Sequence, residues 1–364
     1  MTSRTTQQIL PLTSSPHSAK RDQVFFKFES TRLRRLAELM RPAVPTEVFA
    51  CYWSFAAERQ NIFFGRYHRL PAPWTVDTIL AEHRFTNAYR VSDRVSQYLL
   101  SHVQYNRAWS QEDLFFRTIL FKFFNRRSTW DLLVREFGEP RAATFSPERY
   151  GQVLETAVRR GARIYSAAYI MPSGGSRSGY RRKHNMHLNL LARMIADGMP
   201  AKIARVKSMA AAFGLLRSYS SIGDFLAYQY VTDLNYSSLT NFSETEFVRA
   251  GPGAKEGIGK CFRSLGGKDP EWIIQRTAAV QAEAFATLGL KFRDLWGRPL
   301  QWIDCQNLFC EIAKYARVRF PELNGATGRT RIKQKFVASA EPVDYFPPPK
   351  WNLSTPPLRD VARD

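Results

Sequence analysis

The sequence predicts a mainly α, multi-helical fold. Apolar residues recur at spacings of three and four through most of the chain, which is the period of an amphipathic helix. Alternating strand patterns are scarce, and 162–171 is the only segment that tempts a strand assignment. Several of the helical patterns also begin or end at proline or glycine, as helices do. Together these observations favour a helical body over a sheet-based fold.

The individual helices follow from these signals in order. Pro42 ends the first pattern, since proline cannot continue a helix, and Gly65 ends the second. Thr75 is a candidate N-cap after a proline-rich linker, and Ser146 precedes a proline at a first helical position. The predicted helices cover 25–39, 48–64, 93–103, 114–124, 129–137, a segment that starts near 147, 183–198, 272–288 and 300–319.

The two ends of the chain differ from this body. Residues 1–22 are polar and predict a flexible N-terminal arm, whereas 340–364 is proline-rich and predicts an extended tail over the surface. We expect 23–339 to form one helical catalytic domain, with two lobes as the alternative.

The charge of the chain indicates its partner. Lys and Arg total 53 against 32 Asp and Glu, a net charge of +21 that is spread along the sequence. A polyanion is the expected partner of such a chain, and nucleic acid is the first choice. No apolar run reaches the roughly 20 residues of a spanning helix, so we expect no membrane contact.

The cysteines indicate neither a metal site nor a secreted protein. They fit no zinc or iron–sulfur spacing, so we expect no metal and no cofactor. Free thiols are typical of a reducing compartment, and the N-terminus lacks the apolar core of a secretion signal, so a cytoplasmic monomer is expected. The four cysteines are Cys51, Cys261, Cys305 and Cys310.

Three polar segments are candidate DNA contacts. Asn87, Arg90 and Arg94 have helical spacing, so one face can grip phosphates, with a solvated helix face as the alternative. Asn125 and Arg126 follow an apolar run and can line a nucleotide pocket, with a helix cap as the alternative. Behind a Ser/Gly-rich loop at 173–179, the donors that can contact the DNA backbone are Lys183 and His184.

The segment 221–261 combines glycine turns with acidic residues. Gly223 leaves backbone N–H groups exposed just before a helix, and such an arrangement suits the binding of a phosphate. Gly251 and Gly253 can form a nest of N–H groups for phosphate, and Lys260 lies close behind them. This end does not match a P-loop, because the G-x-x-x-x-G-K-[ST] spacing fails. The acidic residues that precede it are Asp233, Glu244 and Glu246.

A last polar face lies on the predicted helix 300–319. Asp304, Asn307 and Glu311 stand at i, i+3 and i+7, so they share one side of that helix. Two carboxylates and an amide on one face can position a water or a base edge. The alternative is a buried capping network.

Several long motifs carry a family resemblance. They are RFTNAYRVSDRVSQYL, LFKFFNRRSTWDLL, SIGDFLAYQYVTDLNYS, NFSETEFVRAGPGAKEGIGKCF and WGRPLQWIDCQNLFCEIAKYARV. Over about residues 25–350 the chain resembles the alpha-glutamyl/putrescinyl thymine pyrophosphorylase family, clade 2, also called the helical domain of hydroxymethyluracil DNA kinases. The resemblance implies action on a modified base in phage DNA. It also implies a relation to helix–hairpin–helix DNA glycosylases, and members include an anti-phage glycosylase of modified cytosine.

Comparison with those glycosylases selects one reaction. They carry a carboxylate about twenty residues after the second hairpin glycine, and counting from Gly223 ends next to Glu244. Phe225 stands where bifunctional members carry a lysine. The resemblance therefore predicts a monofunctional DNA glycosylase in anti-phage defence. It would flip a bulky base, such as glucosylated hydroxymethylcytosine, out of the duplex and leave an abasic site.

The predicted roles are assigned as follows. Catalysis falls to Glu244, Glu246 or Asp304, and base binding to Asn87, Asn125, Asn307 and Glu311. DNA binding falls to Arg90, Arg94, Arg126, Lys183, His184, Gly223, Gly251, Gly253 and Lys260. Two alternatives stay open. One is a transferase that modifies a hydroxymethyluracil-derived thymine in DNA, for example by replacing pyrophosphate with an amine, and the other is a non-catalytic DNA-binding module.

Overall fold

A computed structural model describes residues 30–169, 171–172, 182–323, 330–338 and 343–354, and it confirms the mainly α fold. The helices are α1 (30–40), α2 (Glu47–Tyr67), α3 (Thr78–Glu82), α4 (Arg94–Tyr98), α5 (Gln111–Phe124), α6 (Arg127–Phe137), α7 (Pro147–Arg159), α8 (Lys183–Ala196), α9 (Met199–Arg205), α10 (Met209–Arg217), α11 (Asp224–Tyr236), α12 (Pro252–Cys261), α13 (Pro270–Ala279), α14 (Gln281–Leu288) and α15 (Trp302–Arg319). Helix α4 continues as a π-helical turn, Leu99–Gln104. Two short strands, β1 (Val44–Pro45) and β2 (Phe262–Ser264), pair antiparallel.

One local prediction, the single helix 272–288, is wrong, and the segment whose pattern resembles a strand forms none. The described residues of 162–171 form no strand, and Tyr169 there has a φ of 55°, which no extended strand contains. The predicted helix 272–288 is two helices, α13 and α14, because the backbone leaves helical geometry at Val280. The predicted arm at 1–22 and the loop at 173–179 lie outside the described residues.

Helix α15 lies at the centre of the fold and packs closely on α12. A Cβ atom at Gly257 would lie 1.9 Å from the carbonyl oxygen of Phe309, so only glycine permits this approach. At Gly253 a Cβ atom would lie 2.4 Å from Sγ of Cys310. Helix packing therefore explains the glycines at 253 and 257 in α12.

Helices α10 and α11 pack together around a short turn. Gly223 is the N-cap of α11, and the buried Ile222 donates its N–H to the carbonyl of Tyr219, 2.9 Å away. The predicted relation to helix–hairpin–helix proteins stays a prediction. In the described part of the chain, no helix has the length and apolar character needed to cross a membrane.

Candidate functional site

The segment 84–94 brings Arg90 into the interior, on a short 3-10 turn between α3 and α4. Arg90 is only 1% exposed. Its two terminal nitrogens donate to the two carboxylate oxygens of Asp233 on α11, at 2.8 and 2.9 Å. Its Nε donates to Oε1 of Gln229, one turn earlier on the same helix, at 2.9 Å. This is a bidentate ion pair with fixed geometry, which is the strong form of an arginine–carboxylate contact.

A second buried cation shares the same carboxylate. Lys122, near the end of α5, donates to Oδ1 of Asn125 at 2.8 Å and lies 3.2 Å from Oδ2 of Asp233. Burial lowers the pKa of Lys122 to about 8, although the negative charge of Asp233 opposes this shift. Burial would raise the pKa of Asp233, but Arg90 and Lys122 together lower it. We call Arg90, Lys122 and Asp233 the cation cluster, because two positive groups share one negative partner.

Aromatic rings bound the cation cluster on two sides. The ring of Tyr169 lies 4.4 Å from Nζ of Lys122 and 5.6 Å from Cζ of Arg90. The ring of Tyr236 lies 5.6 Å from Cζ of Arg90. Phe225 stacks on Tyr169 with ring centres 5.8 Å apart. Tyr169 and Phe225 are half-buried, so they form the side of the cluster nearest to solvent.

The backbone of Tyr169 is unusual. Its φ of 55° lies in the left-handed region, which non-glycine residues seldom adopt. Such conformations cost about 1–3 kcal/mol and concentrate at functional sites. The structure therefore maintains the position of this ring over the two cations against local strain.

Glu244 lies on the other side of Tyr236. It is buried and forms an ion pair with Arg298 at 2.9 Å. Burial raises the pKa of Glu244, and Arg298 and Lys350 oppose that shift. The side chain of Trp351 also hydrogen-bonds Glu244, and its ring lies 3.7 Å from Cζ of Arg298. The predicted tail thus supplies part of this region.

Asp304 lies in the first turn of α15 and fixes the position of Arg90. One carboxylate oxygen accepts the N–H of Arg90 at 2.8 Å, and the other accepts the N–H of Gln301 at 2.9 Å in a capping box. Burial raises the pKa of Asp304 to about 7. Because both oxygens already accept backbone N–H groups, Asp304 positions the turn that carries Arg90.

Side chains in the next two helical turns of α15 bind the segment that lies just before the 3-10 turn of Arg90. Nδ2 of Asn307 donates to Oγ1 of Thr86 at 2.9 Å, and Oε2 of Glu311 accepts the N–H of Thr86 at 2.9 Å. Asn87 itself donates to the carbonyl of Ser92 at 2.8 Å. This is the geometry of the buried capping network. The base-binding roles of Asn87, Asn307 and Glu311 stay predictions.

The other predicted residues are dispersed. Glu246 is exposed and accepts the N–H of Met209, at the start of α10, at 2.5 Å. Asn125 is buried and accepts a hydrogen bond from Lys122, so it contacts the cation cluster. A Cβ atom at Gly251 would lie 2.5 Å from the ring of Phe225, which places Gly251 at the edge of the site. Gly223 lies on the same helix as Asp233, at the N-cap of α11 and about ten residues before it. The predicted DNA-binding residues that lie on other elements than those of the cation cluster are Arg94, Arg126, Lys183, His184, Gly253 and Lys260.

Sequence reasoning missed several members of this site. Phe225, Gln229 and Asp233 recur every four residues, so their common face on α11 was a readable signal. Tyr169, Arg298 and Trp351 gave no such signal, because their partners are distant in the sequence. In the described part of the chain, no group of three or more His, Cys, Asp and Glu side chains is placed to hold a metal ion.

Fold and site define a helical protein whose charged centre is buried between aromatic rings. The chain belongs to the family described as "5-hmdU DNA kinase, helical domain", whose model matches residues 46–325. It is similar to a 5-hmdU DNA kinase of Bacillus phage SP10, with 25% identity over 347 residues. The alignment covers 89% of this chain and 53% of the relative, so the chain spans about half of the relative's length. No solved structure matches the chain.

These comparisons correct the predicted reaction. A monofunctional DNA glycosylase, a hydrolase acting in anti-phage defence, is wrong for this chain, because both the family and the relative are named for kinases. The catalytic roles given to Glu244, Glu246 and Asp304 in base excision lose their basis with it. The resemblance to hydroxymethyluracil DNA kinases is confirmed, and the relative is itself an enzyme. The findings agree better with the transferase alternative.

Proposed function

We propose that this chain binds DNA and presents a 5-hydroxymethyluracil base for group transfer to its hydroxymethyl oxygen, with the base left on its sugar. The family match and the phage relative support the substrate. The net charge of +21 supports DNA as the partner. We propose that the protein acts on it as a monomer in the cytoplasm. Since the chain corresponds to about half of the relative, we assign it the DNA-binding and substrate-binding part of the reaction.

The cation cluster is the observation that carries this proposal. Arg90 and Lys122 are buried and share the single carboxylate of Asp233. Buried charge is costly unless it is paired, so an additional anion would be favoured there. Arg and Lys are the side chains that bind phosphate most often. A phosphate of the DNA, or the transferred phosphoryl group, is therefore the ligand that this cluster suits.

The aromatic rings supply the second half of the argument. Bases bound outside the duplex stack on aromatic side chains, which contributes about 1–3 kcal/mol per base. Tyr169 and Phe225 present such rings directly beside the cations. Every nucleotide of the DNA strand combines a flat base with a phosphate, so this arrangement suits a nucleotide of the strand, not only the modified one, better than it suits either group alone.

The contribution of the cluster to catalysis would be electrostatic. Phosphoryl transfer needs stabilisation of the charge on the phosphoryl oxygens and little covalent help from the protein. Two fixed cations in a water-poor site do this effectively. The sequence at 251–261 fails the P-loop spacing, and residues 237–250 before α12 form no strand, so this segment lacks the features that bind a nucleoside triphosphate in P-loop enzymes.

Binding of matched duplexes tests the proposal. Two DNA duplexes that differ at one position, 5-hydroxymethyluracil against thymine, are titrated by fluorescence anisotropy at fixed salt. We expect tighter binding of the hydroxymethyluracil duplex, and at least a tenfold loss of that binding in Lys122→Met. Arg159→Gln, which changes a charge on the exposed end of α7, should retain the preference.

Mass spectrometry of the DNA identifies the reaction. The protein is incubated with the modified duplex, Mg²⁺ and a nucleoside triphosphate, and the nucleosides and free bases are then analysed. A heavier nucleoside identifies the transferred group, and an amine that replaces pyrophosphate would give a different mass from a phosphoryl group. Equal binding of both duplexes, or release of the free modified base, would contradict the proposal.

A further inference from the structure

Residues 343–354 cross the carboxyl end of α11, and we call this segment the strap. Nζ of Lys350 donates to the main-chain carbonyls of Asn235, Ser237 and Thr240, the last two at 3.1 and 2.6 Å. Earlier in the strap, the N–H of Phe346 donates to Oε1 of Gln97 at 2.7 Å. Two anchors therefore hold a segment without α-helix or strand over the body.

Trp351 follows the Lys350 anchor directly and makes contacts like those of a nucleobase. Its flat ring stacks 3.7 Å from the guanidinium carbon of Arg298. Its side chain bonds Glu244, and the indole N–H is the only donor that tryptophan has. Its ring also meets the ring of Tyr236 edge-on at 5.7 Å. Proteins hold unpaired bases in the same way, by stacking on arginine planes and by hydrogen bonds to the base edge.

Three buried polar atoms around Arg298 and Glu244 have no hydrogen-bond partner among the described residues. Two of them, the hydroxyl of Tyr236 and Nε of Arg298, belong to the body, and the third, the hydroxyl of Tyr345, belongs to the strap itself. Tyr236 as a whole is only 1% exposed. Buried donors without partners are rare in folded proteins, and each calls for an explanation. The indole ring offers no acceptor, so Trp351 cannot satisfy any of them.

A uracil-type base supplies the missing groups. Its pairing edge has an N–H between two carbonyl oxygens, which is one donor flanked by two acceptors. Glu244 is an acceptor, whereas Arg298 and the hydroxyl of Tyr236 offer donors. The hydroxyl of Tyr345 belongs to the strap, so it leaves when the strap is displaced. A cytosine-type base has a ring nitrogen without a proton at the central position, so it would place an acceptor against Glu244. The polar groups here therefore match a uracil edge and mismatch a cytosine edge.

We propose that Glu244, Arg298 and Tyr236 form a recognition site for the edge of a flipped uracil-type base, and that Trp351 occupies this site until the base displaces the strap. The inference rests on the proposed function and identifies the residues that read the base. The unpartnered atoms have almost no accessible surface, so the base can enter only as the strap leaves. Base flipping supplies the incoming ring.

Tyr236→Phe tests the recognition site with little risk to folding. The hydroxyl that it removes has no partner, so the melting temperature should not fall, whereas binding of a uracil-type duplex should weaken about tenfold. Binding is measured by anisotropy with duplexes that carry hydroxymethyluracil or hydroxymethylcytosine at one position. Tyr230→Phe is the matched control on the same helix, because its hydroxyl bonds Sδ of Met171 and lies outside the site. The control should lose stability and keep its binding preference.

Trp351→Ala tests the displacement. Removal of the occupying ring should tighten binding of the hydroxymethyluracil duplex about tenfold and leave the hydroxymethylcytosine duplex nearly unchanged. Trp74→Ala is the control, because an arginine, Arg66, also stacks on that ring at 5.4 Å. The inference fails if Trp351→Ala weakens both duplexes equally, or if Tyr236→Phe leaves the preference for uracil over cytosine intact.

The two proposals fail in different ways. If the wild-type protein binds hydroxymethyluracil and thymine duplexes equally well, the proposed function is contradicted. The recognition site could still be tested by comparing the binding of duplexes that carry thymine or cytosine, because thymine has the same pairing edge as uracil.

Discussion

The substitution Asp233→Asn should destabilise the protein far more than an ordinary surface change. Asp233 accepts two bonds from Arg90 at 2.8 and 2.9 Å and lies 3.2 Å from Lys122, and all three side chains are buried. Asparagine retains the shape but loses the charge, so the two cations lose the carboxylate that they directly contact. Breaking a buried ion pair in this way costs about 3–5 kcal/mol.

A second substitution apportions that cost. Lys122→Met removes one of the two stranded cations, so Asp233→Asn combined with Lys122→Met should be less destabilised than the sum of the single variants. Groups in direct contact couple by about 0.5–3 kcal/mol in such cycles. The free energy of unfolding is measured from urea denaturation followed by far-ultraviolet circular dichroism at pH 7.

Helix α11 offers a matched control for this experiment. Asp224, in its first turn, forms an exposed ion pair with Arg217 at 2.6 Å. Exposed pairs contribute about 0–1 kcal/mol, so Asp224→Asn should cost little. If Asp233→Asn costs no more than Asp224→Asn, the two cations do not depend on Asp233, and the argument for a cationic site is refuted.

Three further predictions concern packing, pH and the strap. Gly257→Ala should lower the melting temperature strongly, because its Cβ would lie 1.9 Å from a carbonyl oxygen of α15. Gly259→Ala has open space around it and should not lower the melting temperature, so equal effects of the two substitutions would contradict the packing argument. The folded-state pKa of Lys122 is about 8, below its ordinary value, so from about pH 8 to 10 the unfolded chain binds more protons than the folded chain. The free energy of unfolding should therefore rise over that range in the wild type, and rise less in Lys122→Met. Parallel urea titrations at several pH values measure this, and identical slopes would count against it. Lys350→Met removes the bonds to three carbonyls and should speed proteolytic cleavage near Trp351, followed by mass spectrometry; cleavage at the wild-type rate would show that Lys350 does not anchor the strap.

Much of the helical body was predictable because it follows local rules. The polar face of α15 was predicted correctly as a face, since i, i+3 and i+7 spacing fixes which side chains share it. The segment 84–94 was different. Helical spacing put Asn87, Arg90 and Arg94 on one side, but Arg90 lies on a 3-10 turn and points inward, while Arg94 is exposed on α4.

The reason for this difference is long-range pairing. The turn at Arg90 is held by Asp304, and its side chain is held by Asp233, both of them far along the chain. Local propensity cannot register such partners. The same limit applies to Trp351, which lies in a proline-rich stretch that predicted a surface tail, yet stacks on Arg298 and bonds Glu244.

Helix α11 carries groups that belong to two separate regions. Asp233 neutralises the cation cluster, while the carbonyls that follow, from Asn235 onward, hold the ammonium of Lys350. Any movement that frees the strap also releases the carboxyl end of the helix on which Asp233 stands. Such a connection is thermodynamically reciprocal, so an anion at the cluster and a base at Glu244 should alter each other's affinity by the same factor.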